Sequence, residues 1–233
     1  MSILNVAAYR FVELHDLPVW QAKFREYCQA QALKGSIVLS CEGINLMLAS
    51  TPEKIAQFKA YIEQFEPFKG LEYKASHSET VPFKRMFVKI KAALTPLQAS
   101  VTPGEGNHLP SHLLKQWFDE NKAFTLIDVR NDYELEAGMF ERTTSLNLKH
   151  FSDFAQAIKQ LPEALRSQPI VTCCTGGIRC EKVVPYMQAQ GFKEVYQLEG
   201  GILQYLHDCG DAHFKGACYV FDERVAINKA DII

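Results

Sequence analysis

No run in this chain approaches the roughly 18 uninterrupted apolar residues of a membrane-crossing helix, and its N-terminus lacks the ordered charged, apolar and small-residue segments of a secretory signal. A cytoplasmic protein without membrane contact is therefore expected. Internal repeats and low-complexity tracts are also missing, which excludes solenoids and long flexible tails. The seven cysteines are odd in number and follow no framework of a small secreted domain, so disulfides are not expected; such thiols are packing groups or reactive ones. The seven histidines have no metal-ligand spacing, so no metal ligands are assigned and the metal stays unknown, and with no flavin, haem or iron motif visible no cofactor is evident.

Strong charge of either sign is absent too. The net charge of −2 argues against a generic nucleic-acid binder, but it hides an asymmetry. Met1 to Thr95 carries 12 Lys and Arg against 9 Asp and Glu, a balance of +3; the remainder carries 13 against 18, a balance of −5. The basic half is the better polyanion contact. At 233 residues, 26.4 kDa and 47% hydrophobic content, the chain exceeds one ordinary domain and can fill two cores.

The first half reads strand, helix, two strands, helix, strand. Ile3–Leu14 is rich in β-formers. Leu17–Leu33 places Leu17, Trp20, Phe24, Tyr27 and Cys28 at helical steps, and Gly35 is expected to end that helix. Ser36–Cys41 and Ile44–Ala49 flank a tight turn at Glu42-Gly43. Thr51-Pro52 opens a helix over Glu53–Phe65, and a last strand is expected at Arg85–Ile90. This is the split βαββαβ plan of a ferredoxin-like α+β domain over residues 1–95.

Residues 96–110 carry prolines and glycines without hydrophobic period and read as a linker. From 111 to 214, strands at Phe124–Val129, Ser145–Leu148, Ile170–Cys173 and Glu194–Gln197 alternate with helices at Asp132–Ala137, Phe151–Leu161 and Glu181–Gln190. That alternation predicts a parallel α/β sheet covered on both faces. Residues 215–233 form an extension.

One loop carries chemistry. Ile170-Val171-Thr172-Cys173 runs into Cys174-Thr175-Gly176-Gly177-Ile178-Arg179-Cys180 and then a helix, so the loop lies at the carboxyl edge of the sheet, where open α/β folds bind ligands. Gly176 and Gly177 allow positive φ, and the helix adds its positive end. Thr175 to Cys180 then form a nest of N–H groups around Cys174, with Arg179 adding charge. Such a field lowers the thiol pKa from its free value of about 8.5. Counted from Cys173, the same loop fits a cysteine phosphatase; strand alternation, however, sends Cys173 into the packing, leaving Cys174 as the nucleophile. Cys180 is either a resolving thiol or the first packed residue of the helix.

This loop resembles that of the rhodanese family, whose product is a Cys persulfide. Leu126-Ile127-Asp128-Val129-Arg130 with Tyr133-Glu134 and Gly138, and Val195 to Ile202, are similar to the family's two further signatures. Nearly the whole chain resembles a narrower group, the bacterial tRNA uridine hydroxylases, through Glu42-Gly43-Ile44-Asn45, Phe83-Lys84-Arg85-Met86, Asp128 to Asn131, Cys174 to Lys182 and Phe221-Asp222-Glu223-Arg224. The resemblance implies an acylphosphatase-like first domain and a rhodanese-like second one. It also implies a tRNA substrate, dioxygen as co-substrate and hydroxylation of the wobble uridine at C5. Cys41 and Met139 stand where the family commonly has His, and its members continue into a cysteine-rich tail, so a truncated extension is expected here. Two other readings of the residues stay open: a sulfurtransferase carrying persulfide on Cys174, and a non-catalytic RNA- or protein-binding module. On the strand Phe83–Lys91, alternation puts Phe83, Arg85, Phe87, Lys89 and Lys91 on one side, a mixture of cations and rings suited to RNA.

Overall fold

The computed structural model describes residues 2–97 and 101–233; residues 98–100 of the expected linker lie outside the described residues. The chain divides into two compact units. One comprises Met1–Leu94 with Asp222–Arg224 and Asp231–Ile233, the other Thr95–Phe221 with Val225–Ala230.

In the first unit, β1 (Ile3–Phe11), α1 (Leu17–Ala30), β2 (Lys34–Ser40), β3 (Gly43–Ser50), α2 (Pro52–Ile62), β4 (Lys74–Ser78) and β5 (Met86–Ile90) form one five-stranded sheet in the order β4-β1-β3-β2-β5. The first four strands reproduce the ferredoxin-like order. Phe24 and Cys28 of α1 and Ile55, Phe58 and Ile62 of α2 fall at three-, four- and seven-residue steps. They bury against Val6, Ile37, Leu46 and Leu48 of the sheet in one core.

Two details differ from expectation. The expected last strand exists, but it is a fifth one, running parallel to β2 at one edge. The fourth strand is β4, Lys-Ala-Ser-His-Ser, whose composition carries no β signal; pairing with β1 makes it a strand. Helix α1 ends at Ala30 with Ala32 left-handed (φ 50°), and Gly35 lies inside β2. Of residues 215–233, Asp222–Arg224 and Asp231–Ile233 belong to this unit. Arg224 pairs with Asp222 at 2.6 Å and donates to Ser76 Oγ at 2.9 Å, and Ile232 bridges Ser76 at the outer edge of β4.

The second unit contains β6 (Asn107–Leu109), α3 (Ser111–Asp119), β7 (Thr125–Asp128), α4 (Asp132–Leu135), β8 (Gly138–Phe140), β9 (Thr143–Ser145), α5 (Phe154–Ala157), β10 (Pro169–Cys173), α6 (Cys180–Ala189), β11 (Glu194–Leu198) and α7 (Gly201–Cys209). β12 (Phe214–Gly216), β13 (Cys218–Tyr219) and β14 (Ala226–Ile227) follow. Its main sheet is wholly parallel, in the order β6-β11-β10-β7-β9. β6 arises inside the segment read as a linker and pairs through Asn107, His108 and Leu109 with β11. The expected helix over 151–161 is broken into α5 and two short 3-10 turns, with Phe151, Phe154 and Ile158 as its buried anchors. β10 is central, and Ile170 to Cys173 are buried on both faces. That burial positions the loop that follows.

Candidate active site

The chain leaves β10 at Cys173 and re-enters helix at Cys180, so the intervening loop is anchored at both ends by buried residues. Of the two loop glycines only Gly177 takes a positive φ (97°), and its N–H donates to Cys174 Sγ at 3.2 Å. The loop carbonyls are turned the other way. Ile202 N–H donates to Cys174 O at 2.9 Å and Leu203 N–H to Thr175 O at 3.0 Å, so the first turn of α7 takes up the first two loop carbonyls.

That arrangement depends on Gly201. It is left-handed (φ 71°), and a Cβ there would lie 2.6 Å from both Cys174 O and Gly177 N, with backbone on every near side. Gly201→Ala is therefore expected to push α7 off the loop. Since a displacement of about 1 Å in a positioned site costs about 10²-fold, activity should fall by that order while the protein stays folded. Turnover measured beside circular dichroism checks this; an active, folded Gly201→Ala would show that the loop holds its shape without α7.

Burial alone would raise the Cys174 thiol pKa. The Cys180 thiol donating to its sulfur, the Arg179 charge and the N–H groups of Arg179 and Cys180 overcome that and bring it to about 6. Cys180 moves the other way: burial and the neighbouring Cys174 sulfur hold its thiol well above the ordinary range. Of the two neighbouring thiols, Cys174 is therefore the more acidic. Cys173, also fully buried and facing the Asp128 charge, is pushed well above the ordinary range. Cys174 is the thiolate.

Arg179 is not a free anion receptor. Nη1 and Nη2 donate to Glu134 Oε1 and Oε2 at 2.6 and 2.7 Å, a fork-to-fork pair in which Glu134 is fully buried. Glu134 Oε1 also accepts from Asn131 N–H at 3.0 Å. Arg130 is fully buried and forked onto Asp128, and it donates to Gly138 O at 2.7 Å, so both residues brace the loop's neighbourhood. Thr175 donates to Tyr219 O at 3.3 Å, which holds β13 against the loop. Among the described residues no group of three or more His, Cys, Asp or Glu has the arrangement of a metal site.

The residues expected to touch RNA lie in the first unit. β5 spans Met86–Ile90, and the expected alternation holds as far as Lys89: Met86 and Val88 pack on the core, while Arg85 and Lys89 sit over the Phe87 ring at 4.5 and 4.4 Å; Ile90, expected on the core side, is exposed. Lys91 is exposed and extends the pairing through its N–H to Leu39 O at 2.9 Å. Phe83 precedes the strand and is half-buried. Sequence reasoning missed Glu134 as the partner of Arg179, and Gly201 with α7 as the support of the loop. Each stands inside a recognised word, Tyr133-Glu134 and Gly200-Gly201, which is the signal that was available.

Residues 3–94 match the UPF0176 acylphosphatase-like domain and residues 111–208 the rhodanese-like domain. The chain is 40% identical over 236 residues to a tRNA uridine(34) hydroxylase of Cupriavidus taiwanensis, covering 98% of this chain and 84% of that protein. It is 38% identical over 237 residues to a tRNA uridine(34) hydroxylase of Bordetella petrii, covering 98% and 94%. Among solved structures, a rhodanese-like domain from Anabaena is 21% identical with a TM-score of 0.39, over 47% of this chain and 78% of that one. No helix among the described residues is long and apolar enough to cross a membrane.

Proposed function

The chain belongs to the tRNA uridine(34) hydroxylase family, and we propose that it hydroxylates the uracil of that nucleotide at C5, with Cys174 as the group that acts on the base. The observation that carries the role of Cys174 is the N–H of Gly177 at 3.2 Å from its sulfur, in a loop whose Arg179 charge and Cys180 thiol bring the Cys174 pKa down to about 6. A thiolate is a nucleophile at neutral pH. Added at uracil C6, it makes C5 electron-rich; later elimination of the sulfur restores the ring. Overall C5–H becomes C5–OH, one dioxygen is consumed and its second oxygen leaves as water, with two external thiols supplying the two electrons and two protons and leaving as their disulfide. Cys174 is fully buried, so the base reaches it only when the residues over the loop are displaced. The reaction belongs in the cytoplasm, with tRNA as partner.

The test is incubation of the chain with unmodified tRNA under labelled dioxygen, followed by mass spectrometry of the nucleosides. Label in the anticodon-loop uridine, lost in Cys174→Ser, is the expected result. Rapid thiocyanate formation from thiosulfate and cyanide, with no tRNA product, would replace this reading with a persulfide carrier.

The basic ring cluster on β5 supports a contact with the tRNA backbone. Changing Arg85, Lys89 and Lys91 together to Ala should weaken tRNA binding and reduce the slope of log affinity against log salt by about 2 to 3, since each phosphate contact releases nearly one counterion. An unchanged slope would remove β5 from the RNA contact.

A further inference from the structure

Three aromatic rings border the Cys174 loop and have no part in the chemistry above. Tyr133 of α4 is 46% exposed, and Phe221, just beyond β13, is 45% exposed. Between them Tyr219 of β13 meets Tyr133 at 5.3 Å with planes at 76°, and Phe221 at 5.3 Å with planes at 77°. Each outer ring thus meets Tyr219 at a single edge-to-face contact, a geometry that does not cover both faces of a ring, and each keeps nearly half its surface in water. The exposed half of each ring is apolar surface that a bound partner gains by covering.

The cluster is tied to the loop itself. Thr175, next to Cys174, donates to the Tyr219 carbonyl at 3.3 Å; the Arg179 guanidinium stands over the Phe221 ring at 5.9 Å; and Tyr133 adjoins Glu134, which grips Arg179. Asn131 Nδ2 donates to the Tyr133 hydroxyl at 3.3 Å and steadies that ring. We infer that Tyr133, Tyr219 and Phe221 form the stacking site for one unpaired pyrimidine, the uracil taken out of the anticodon loop, and hold it at the lip of the Cys174 loop. The inference rests on the hydroxylase reading and adds to it the residues that receive the base. Single-stranded RNA is bound through just such sequence-tolerant ring contacts, and a thiolate that must add to C6 needs the ring plane held still.

The test uses the full chain and a tRNA carrying 5-iodouridine at the target position. Iodine at C5 blocks hydroxylation, and irradiation joins that carbon to an adjacent aromatic ring. The expected adduct, mapped by peptide mass spectrometry, is on Phe221, Tyr219 or Tyr133. In steady state, Phe221→Ala should raise KM by about tenfold or more, the usual worth of one stacked base, while Phe221→Tyr restores it. A merely structural clamp between β13 and α4 would lower stability in Phe221→Ala and leave KM unmoved, which would overturn the inference. An adduct on Phe87 or elsewhere, with wild-type hydroxylation intact, overturns the inference and leaves the hydroxylase reading standing. Absence of hydroxylation by the wild type, with no adduct, overturns both.

Discussion

Cys174→Ser is expected to lower hydroxylation by at least about 10³-fold, because a serine hydroxyl in the same nest stays protonated and no other group supplies a nucleophile. Cys173→Ser is expected to keep most of its activity, since that side chain is buried in β10 beside Asp128 and its thiol is held neutral. Titration separates them further. The folded Cys174 ionises at about 6, well below the free-thiol value near 8.5. Alkylation at Cys174 and kcat/KM should both rise with pH through about 6 and level off above it. The stability this thiolate contributes has the matching sign: a depressed folded pKa adds stability that is complete above the free-thiol value and is lost as pH falls through about 6. A midpoint near 8.5, or reaction at Cys173 ahead of Cys174, would reverse the assignment.

The parts of the site legible from sequence are those carried by neighbours along the chain. The loop from Cys174 to Cys180 is contiguous, so its glycine turn, its arginine and the helix after it could be read directly. The side-by-side placement of Arg85, Phe87 and Lys89 follows from the two-residue period of a strand and needs no tertiary knowledge. What stayed hidden comes from distant contacts. Glu134 meets Arg179 across 45 positions, and the first turn of α7 closes on a loop that precedes it by a whole βα unit. β4 has no hydrophobic period because only Ser76 in it is buried, and pairing with β1 decides its conformation. Even the two glycines, adjacent and alike in sequence, divide in structure: Gly177 needs its positive φ to present an N–H, while Gly176 does not adopt one.

That distant pair sets the other large effect. Glu134 and Arg179 are buried together, and the carboxylate is the guanidinium's bidentate partner. Glu134→Ala strands a buried cation, a change that costs about 3–5 kcal/mol, so the melting of the second unit should fall by roughly 6 °C or more. The same substitution should act in the opposite sense on chemistry. With the carboxylate gone, the Arg179 charge is no longer offset at Cys174, and the thiol should ionise at a lower pH than in the wild type. Arg179→Gln removes the positive charge instead; its destabilisation leaves Glu134 buried without its fork, and Cys174 should titrate upward, taking activity at neutral pH down with it. The double variant Glu134→Gln with Arg179→Gln should be less destabilised than the sum of the two single changes, since neither charge is then left alone. Thermal melts and pH-dependent alkylation of the three proteins read both effects. Stability of Glu134→Ala equal to wild type, or an upward shift of its Cys174 midpoint, would mean that Arg179 finds another partner and that this pair does not govern the thiolate.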